Sequence, residues 1–359
     1  MLMPLYMDIH TVDSESFTVE DVVKAHMQDL AIQDQFGVTQ IKYWVNVDAQ
    51  TIFCLMQGPD KNACHMVHKE SHGGTACNII EVSDDEFNLY LGEGKKDNDL
   101  AYTNSGELDT GYRTVLLLRV VDFTGQYGHT YNEIHRLIKQ HQGTVIIQPE
   151  DDFMVSFVHA TDAILCGLAI GNMLQCIPGH VEFNLALASG RPVDEHGTNL
   201  FEETKKKVQC FCDVGLTNTM YLDAGTRALS EKEHISSRVQ TGEFKIVQNN
   251  EILFMIRLFD ILNRIIPDPD FKSEDLNALL GLSKSQAYRK IKSLTGLAPN
   301  KLIQEVRLRK ALKKLKKSGN TIAETAYDFG FNSPTYFTRV FKNRFHVTPT
   351  CFSKISPTK

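Results

Sequence analysis

Five histidines (His10, His26, His65, His68 and His72) and three cysteines (Cys54, Cys64 and Cys77) stand within the first 82 residues of the chain. Asp29, Tyr43, Glu70 and Glu81 add oxygen donors to the same stretch. His68 and His72 lie four apart, so on a helix they share one face, with His65 one turn before. That is the spacing at which two imidazoles can reach one ion. Mixed nitrogen, sulfur and oxygen donors suit nickel, copper or zinc better than magnesium or calcium. The alternative is structural: Cys54 and Tyr43 as strand residues of a core, His68 and His72 on a solvated face.

A second kind of chemistry stands at the other end. Residues 276–283 read as a helix, a glycine turn at Gly281 and a cap at Ser283 that opens a further helix to Leu294. About 40 residues on, 322–331 repeats the plan, with Ser333 as cap and Pro334 at the first helical position. A basic helix near 300–317 joins the two. From Phe271 onward there are 18 Lys and Arg against five Asp and Glu, which leaves 20 against 39 in the preceding 270 residues. A basic tail on an acidic body points to a polyanion as the partner of the tail.

The elements that must position these residues follow from periodicity. Strands at 5–10, 39–47, 51–57 and 77–82 and helices at 18–36 and 60–72 give the order βαββαβ, a ferredoxin-like unit over residues 1–82. Residues 83–111 hold eight acids among Gly, Asn and Ser without a period, the composition of an acidic linker. An α/β unit over 112–248 begins with the apolar strand 115–121. It continues through a helix at 127–141, a hairpin (144–148 with 153–158), a helix at 161–176, a strand at 181–189 and a helix from Asn199. The rest, 249–359, is helical, with a first helix stopped at Pro267-Asp268-Pro269. The fold class expected is multidomain α+β.

The chain has 359 residues, 42% of them hydrophobic and 23% charged, with a net charge of -6. It carries no apolar run near the roughly 18 residues that cross a bilayer. Its eight scattered cysteines read as reduced thiols. A cytoplasmic protein is expected, without a membrane partner.

The runs Leu282–Lys290, Leu294-Thr295-Gly296, Val306–Ala311 and Gly330–Lys342 resemble the DNA-binding domain of the AraC family of transcription regulators. The resemblance covers 251–355, with His346 where that family usually has glycine. It implies two recognition helices in successive major grooves of double-stranded DNA. Ser285, Gln286 and Arg289 of the first and Thr335, Thr338 and Arg339 of the second are then the candidates for base contacts. Lys284, Lys290, Lys292, Lys342 and Arg344 are those for phosphates.

Met3–His10, Tyr43-Trp44, Phe53-Cys54-Leu55 and His68–Gly73 resemble a family of small bacterial nickel-binding domains. This resemblance implies Ni(2+), or another divalent transition metal, on His10, Tyr43, Cys54, His68 and His72, with His26, Asp29 and Glu81 behind them.

Val115–Gly125, Gly143-Thr144-Val145 and Glu150–Phe157 look like a class III nucleotide cyclase domain whose two metal-binding aspartates match Asp122 and Asp151. The family's Gly-Asp-Gly hairpin is here Glu150-Asp151-Asp152, and its catalytic asparagine and arginine fall at Lys206 and Cys210. Without that arginine the transition state of phosphoryl transfer loses charge stabilisation. The expectation is a degenerate, cyclase-like domain that is not an enzyme and serves dimerisation, ligand sensing or relay. The chain as a whole then reads as a metal-responsive regulator and a homodimer. The rival readings are a regulator that senses a nucleotide or small ligand in the central domain, with the N-terminal unit as dimerisation element or metal buffer, and an active cyclase.

Overall fold

The computed structural model describes residues 3–13, 17–92, 94–123, 125, 127–147, 152–177, 180–233, 244–316 and 320–355. The first unit runs β1 (Leu5–Thr11), α1 (Val19–Ile32), a short 3₁₀ turn, β2 (Thr39–Asn46), β3 (Thr51–Gln57), α2 (Lys61–His72) and β4 (Asn78–Val82). Its strands lie in the order β4-β1-β3-β2, each antiparallel to its neighbour. Alternation along the strands sorts two faces. Met7, Ile9, Trp44, Phe53 and Leu55 turn into one apolar cluster. Tyr6, Tyr43, Val45, Cys54 and Met56 turn to the other face, under Val22 of α1 and Cys64 and Val67 of α2. Thr18 opens α1 through a capping box with Asp21, and Asp60 opens α2 by accepting from the Ala63 amide at 2.8 Å. Gly73, at φ 76°, closes α2 in the left-handed conformation that glycine adopts without strain.

Residues 83–111 are folded, which corrects the expectation of a linker. They form α3 (Asp84–Leu91), β5 (Lys95–Asp97) and β6 (Leu100–Tyr102). Strand β6 pairs with β2, and the sheet grows to six strands, β4-β1-β3-β2-β6-β5. The acids that suggested a linker have a local use. Asp84, Asp85 and Glu86 occupy the first turn of α3 behind the Ser83 cap, where negative charge favours a helix. Phe87, Tyr90 and Leu91, at helical spacing, are buried. Farther on, Asp109 and Arg113, each 2% exposed at the side chain, form a two-bond ion pair with both distances 2.8 Å.

The second sheet gathers β7 (Arg113–Asp122), β8 (Thr144–Ile147), β9 (Asp152–Phe157), β10 (Val181–Gly190), β11 (Met220–Asp223) and β12 (Lys245–Val247) in the order β12-β11-β10-β7-β9-β8. Helices α4 (Tyr127–Gln140) and α5 (Ala160–Gln175) cover one face through Leu116, Leu118 and Val120 of β7. Helix α6 (Glu202–Val214) lies on the other, with Val115 and Leu117, and α7 (Ala224–Lys232) follows β11. Strands β11 and β12, parallel to β10, and helix α7 were not foreseen from the sequence.

The remainder is helical: α8 (Asn249–Ile265), α9 (Ser273–Leu280), α10 (Lys284–Thr295), α11 (Pro299–Lys316), α12 (Ile322–Asp328), α13 (Pro334–Phe345) and α14 (Pro349–Ile355). The units pack on one another. Tyr90 stacks on Phe201 at 4.7 Å, Asn78 donates to the carbonyls of Asp194 and Gly197, and the Tyr221 hydroxyl donates to the Leu294 carbonyl.

Candidate metal centre and nucleic-acid interface

Four elements converge under α1 and α2. Strand β1 supplies Asp8 and His10, two residues apart and so on one face. Strand β3 supplies Cys54, α1 supplies His26 and Asp29, and α2 supplies His68 and His72. One oxygen of Asp8 lies 3.1 Å from Nε2 of both His10 and His68, and the other accepts the Cys54 amide at 3.0 Å. Ligand atoms of Asp8, His10, Cys54 and His68 all lie within 4.8 Å of one another, and all four residues are buried. Asp29, His68 and His72 meet the same limit. His68 thus faces two carboxylates, Asp8 through Nε2 and Asp29 through Nδ1 at 3.0 Å, and Ser71 holds the second Asp29 oxygen at 2.5 Å.

Charge explains why so polar a cluster survives burial. Burial alone would raise the Asp8 carboxyl and lower the His68 imidazolium. The charges of His10 and His68 outweigh it for Asp8, which is held well below the usual carboxylate range. For His68 the carboxylates Asp8 and Asp29 prevail and push it up to about 10. Burial, with Asp8 and Asp29 nearby, pushes the Cys54 thiol well up.

The residues fit a transition metal. Nε2 of His68 lies near Asp8 but off the angle of a hydrogen bond, and the buried Tyr43 hydroxyl beside the cluster has no hydrogen-bond partner among the described residues, so polar atoms remain to be satisfied here. A cavity of about 510 Å³, lined by His10, Tyr43, Cys54, His26, His68 and His72 among others, reaches the cluster.

Of the residues singled out from sequence, His10, Cys54, His68 and His72 are brought together, with Asp29 beside them. Tyr43 lines the cavity without joining the converging atoms, and its ring lies 4.3 Å from that of His26. His26 turns its Nε2 to Asp99, 3.4 Å away in the β5–β6 turn. Glu81 is exposed on β4 opposite Tyr6, outside the groups that could hold an ion. Asp8 was missed. The available signal was its place two residues before His10 in an otherwise apolar strand, which puts both on one face.

At the other end, Ser283 caps α10 in a box with Gln286, and Ser333 caps α13 with Pro334 in its first turn. Ser285, Gln286, Arg289 and Lys290 are exposed along α10, as are Lys284 and Lys292. Thr335, Arg339 and Lys342 are exposed along α13, and Thr338 is half-buried. Gln286 accepts the Ser283 amide at 3.0 Å, so its side chain serves the cap. Lys290 lies over the Phe254 ring and Arg339 over that of Tyr336. Arg344 is a correction. Its guanidinium binds Glu305 and reaches into the second unit to Glu182 at 2.6 and 3.0 Å, so it faces carboxylates and not a free phosphate-binding surface. His346 takes the left-handed position after α13 at φ 60°, where a glycine would sit without strain.

Residues 276–355 match the model of a helix-turn-helix domain family. A curated relative, an uncharacterized HTH-type transcriptional regulator from the cgkA 5' region of Pseudoalteromonas carrageenovora, is 40% identical over 123 residues, 34% of this chain and 72% of that one. The chain belongs to the AraC-type transcriptional regulators. The HTH-type regulator MtrA of Neisseria gonorrhoeae is 32% identical to it over 100 residues, 27% of this AraC-type regulator and 33% of MtrA, so the chain spans about a third of that relative. Residues 6–82 of the regulator match the family described as nickel responsive protein SCO4226-like. The crystal structure of SCO4226 from Streptomyces coelicolor A3(2) is 32% identical, covering 22% of this chain and 94% of that one at a TM-score of 0.21. The guanylyl cyclase domain of the RhoGC fusion protein from Blastocladiella emersonii is 12% identical, covering 34% and 84% at a TM-score of 0.29, too slight a likeness to carry an argument.

In the central unit of this AraC-type regulator Asp122 is buried at the end of β7, while Glu150 and Asp151 lie outside the described residues. Asp152, at the hairpin's second glycine position, forms ion pairs with Arg119 at 3.1 Å and Lys313 at 3.0 Å, which offset its charge. Lys206 pairs with Asp260 at 2.9 Å, and Cys210 is buried in the apolar cluster under the sheet.

Proposed function

We propose that this regulator binds a divalent transition metal, nickel foremost, in its N-terminal unit and double-stranded DNA through α10 and α13, and that the metal changes its DNA affinity. The observation that carries the reading is the convergence of Asp8, His10, Cys54 and His68, buried and within 4.8 Å of one another. Those four would hold the ion, with His72 and Asp29 alongside. A bound divalent ion would supply positive charge to two carboxylates that now rely on protonated imidazole, and would displace the His68 proton as it binds. Ser285, Gln286, Arg289, Lys290, Thr335, Thr338, Arg339 and Lys342 form the DNA-facing set, with arginine suited to guanine edges and lysine to phosphates. The protein acts in the cytoplasm as a homodimer, and its central unit serves as scaffold and relay rather than as an enzyme.

A switch of this kind requires the metal to bind one arrangement of the chain better than another. Ion pairs between neighbouring elements support it. His26 touches Asp99 beyond α3, Glu86 of α3 pairs with Lys205 of α6 at 3.1 Å, and Lys206 of α6 pairs with Asp260 of α8.

The test is a calorimetric titration of the metal-free full chain with nickel, zinc, copper and cobalt, followed by DNA binding with and without the best ion, on a duplex selected from a random pool. Stoichiometric binding and a change in DNA affinity of about fivefold or more are expected. An unchanged DNA affinity across metal saturation would leave the N-terminal unit a buffer. Arg289→Ala and Arg339→Ala should each weaken the selected duplex by about tenfold and relax its sequence preference at one position. Incubation with ATP and manganese, read for cyclic product, tests the cyclase alternative.

A further inference from the structure

A cavity of about 240 Å³ lies between the end of β7, the end of α6 and helix α11. Cations dominate its described lining: Arg119 from the sheet, and Arg309, Lys310, Lys313 and Lys316 from α11. Against these five stand three carboxylates, Asp152, Glu182 and Asp213, and each is already engaged. Asp152 is shared by Arg119 and Lys313, Asp213 is paired with Arg119, and Glu182 is taken by Arg344, while Arg309 in turn pairs with Glu305 outside the lining. The Lys310 ammonium meets the neutral side-chain oxygen of Asn263 at 2.5 Å.

Lysines on a helix ordinarily face water. Here Lys310, Lys313 and Lys316 recur every third residue along one side of α11 and line a cavity against a sheet, with Lys316 only 8% exposed. Burial, together with the neighbouring charges of Lys313 and Arg119, lowers the pKa of Lys310 even though Asp213 opposes it. An excess of positive charge in a partly desolvated cavity draws in an anion and strengthens its binding.

We propose that this cavity, between the second sheet and α11, is a binding site for a compact organic dianion, of the phosphate monoester or dicarboxylate kind. Its volume lies below the roughly 300 to 1,000 Å³ of sites for drug-sized ligands, which disfavours a nucleoside triphosphate. The apolar wall formed by Val306, Leu312 and Phe345 suits a short carbon body. Such a ligand would touch β7 and α11 together. Strand β7 leads directly into Phe123, whose ring lies 5.4 Å from Phe345 and 5.5 Å from Phe352 in the core of the second helix-turn-helix, and α11 joins the two helix-turn-helix units. An anion there would tie the central unit to the DNA-binding tail.

The experiment is calorimetry and thermal melting of the metal-free full chain at fixed ionic strength, with β-glycerophosphate, succinate and, as a neutral control, glycerol. Because no metal is present, the outcome is independent of the metal reading. Saturable binding of either anion below about 10 mM, weakened about tenfold or more in Lys310→Met, is the expected result, and the stronger of the two anions assigns the chemistry. Circular dichroism verifies the fold of the variant, and Lys313→Gln replaces it if Lys310→Met does not fold. Absence of saturation by both anions overturns the proposal. So does binding that survives both substitutions, since the anion would then sit elsewhere, as on the DNA-facing lysines.

Discussion

Both sheets carry two helices on one face, and the first buries a cluster of ionisable groups beside its apolar residues where the second buries a hydrocarbon layer. Between the second sheet and α4 and α5 lie Leu116, Leu118, Val120, Ile134, Ile164 and Ile170, a continuous hydrocarbon layer. Between the first sheet and α1 and α2 lie Asp8, His10, His26, Asp29 and His68, all buried. Hydrocarbon at such an interface stabilises the fold at about 25 cal/mol per Å². Ionisable groups there are costly unless each finds a partner, and replacing them with apolar side chains is often neutral or stabilising. The contrast shows that the first interface contains more than holding the fold requires, whereas the second contains what any sheet and helix need.

Asp8→Ala is the sharpest way to break the comparison. It leaves the His68 charge with Asp29 as its remaining carboxylate, strands the Cys54 amide, and removes one of the four residues proposed to hold the metal. Loss of roughly 3 to 5 kcal/mol in urea denaturation is expected, with metal affinity reduced on the order of 100-fold or more by calorimetry. A variant that keeps wild-type metal affinity would remove Asp8 from the site. Leu118→Ala makes the matching cut in the hydrocarbon layer. It should cost about 3 kcal/mol through the cavity it opens while metal affinity stays within about twofold, as distant sites act independently.

How much of this was legible depended on whether local pattern and global packing agreed. Alternation gave β1 to β4, and spaced polar residues gave the side of α2 that carries His68 and His72. Ser283, Ser333 and Pro334 marked the recognition helices because caps are read from single residues. Where one residue type served two purposes, reading failed. The acids of 83–111 resembled a linker because the use of three of them, in the first turn of α3, depends on Phe87, Tyr90 and Leu91 finding a core. Arg344 resembled a phosphate contact because Glu182, its partner, is 162 residues away. Asp8 was read as strand because its histidine partner His68 arrives from α2, through tertiary contact. Strands β11 and β12, of four and three residues, are too short for a period to show.

Asp109→Asn tests the folded 83–111 segment, which packs against the apolar face of the first sheet and bears none of the residues proposed to hold a metal. Burial would raise the Asp109 carboxyl, but the Arg113 guanidinium holds it below its ordinary value. A depressed folded value means the pair's contribution is present above the unfolded range near ~3.9 and is lost as pH falls through the lower folded value. The variant should lose roughly 2 kcal/mol at neutral pH, and its stability should fall less steeply than wild type below about pH 4. Parallel acid curves for the two proteins would contradict the ion pair.

The smallest effect separates positioning from ligation. Asp60 caps α2, the helix that carries His68 two turns further on, while α5 of the hydrocarbon interface is capped from a distance by Glu233, which accepts the amides of Ala160 and Thr161 at 2.9 and 2.8 Å. Asp60→Ala and Glu233→Ala should each cost about 1 kcal/mol. They should differ in metal affinity. Fraying the start of α2 lets His68 and His72 wander from Asp8 and Asp29 and weakens binding a few-fold, whereas loosening α5 disturbs no ligand. Equal metal affinities in the two variants would show that the imidazoles are held by the cluster's own ion pairs and not by the helix, since His68 already pairs with carboxylates on both sides.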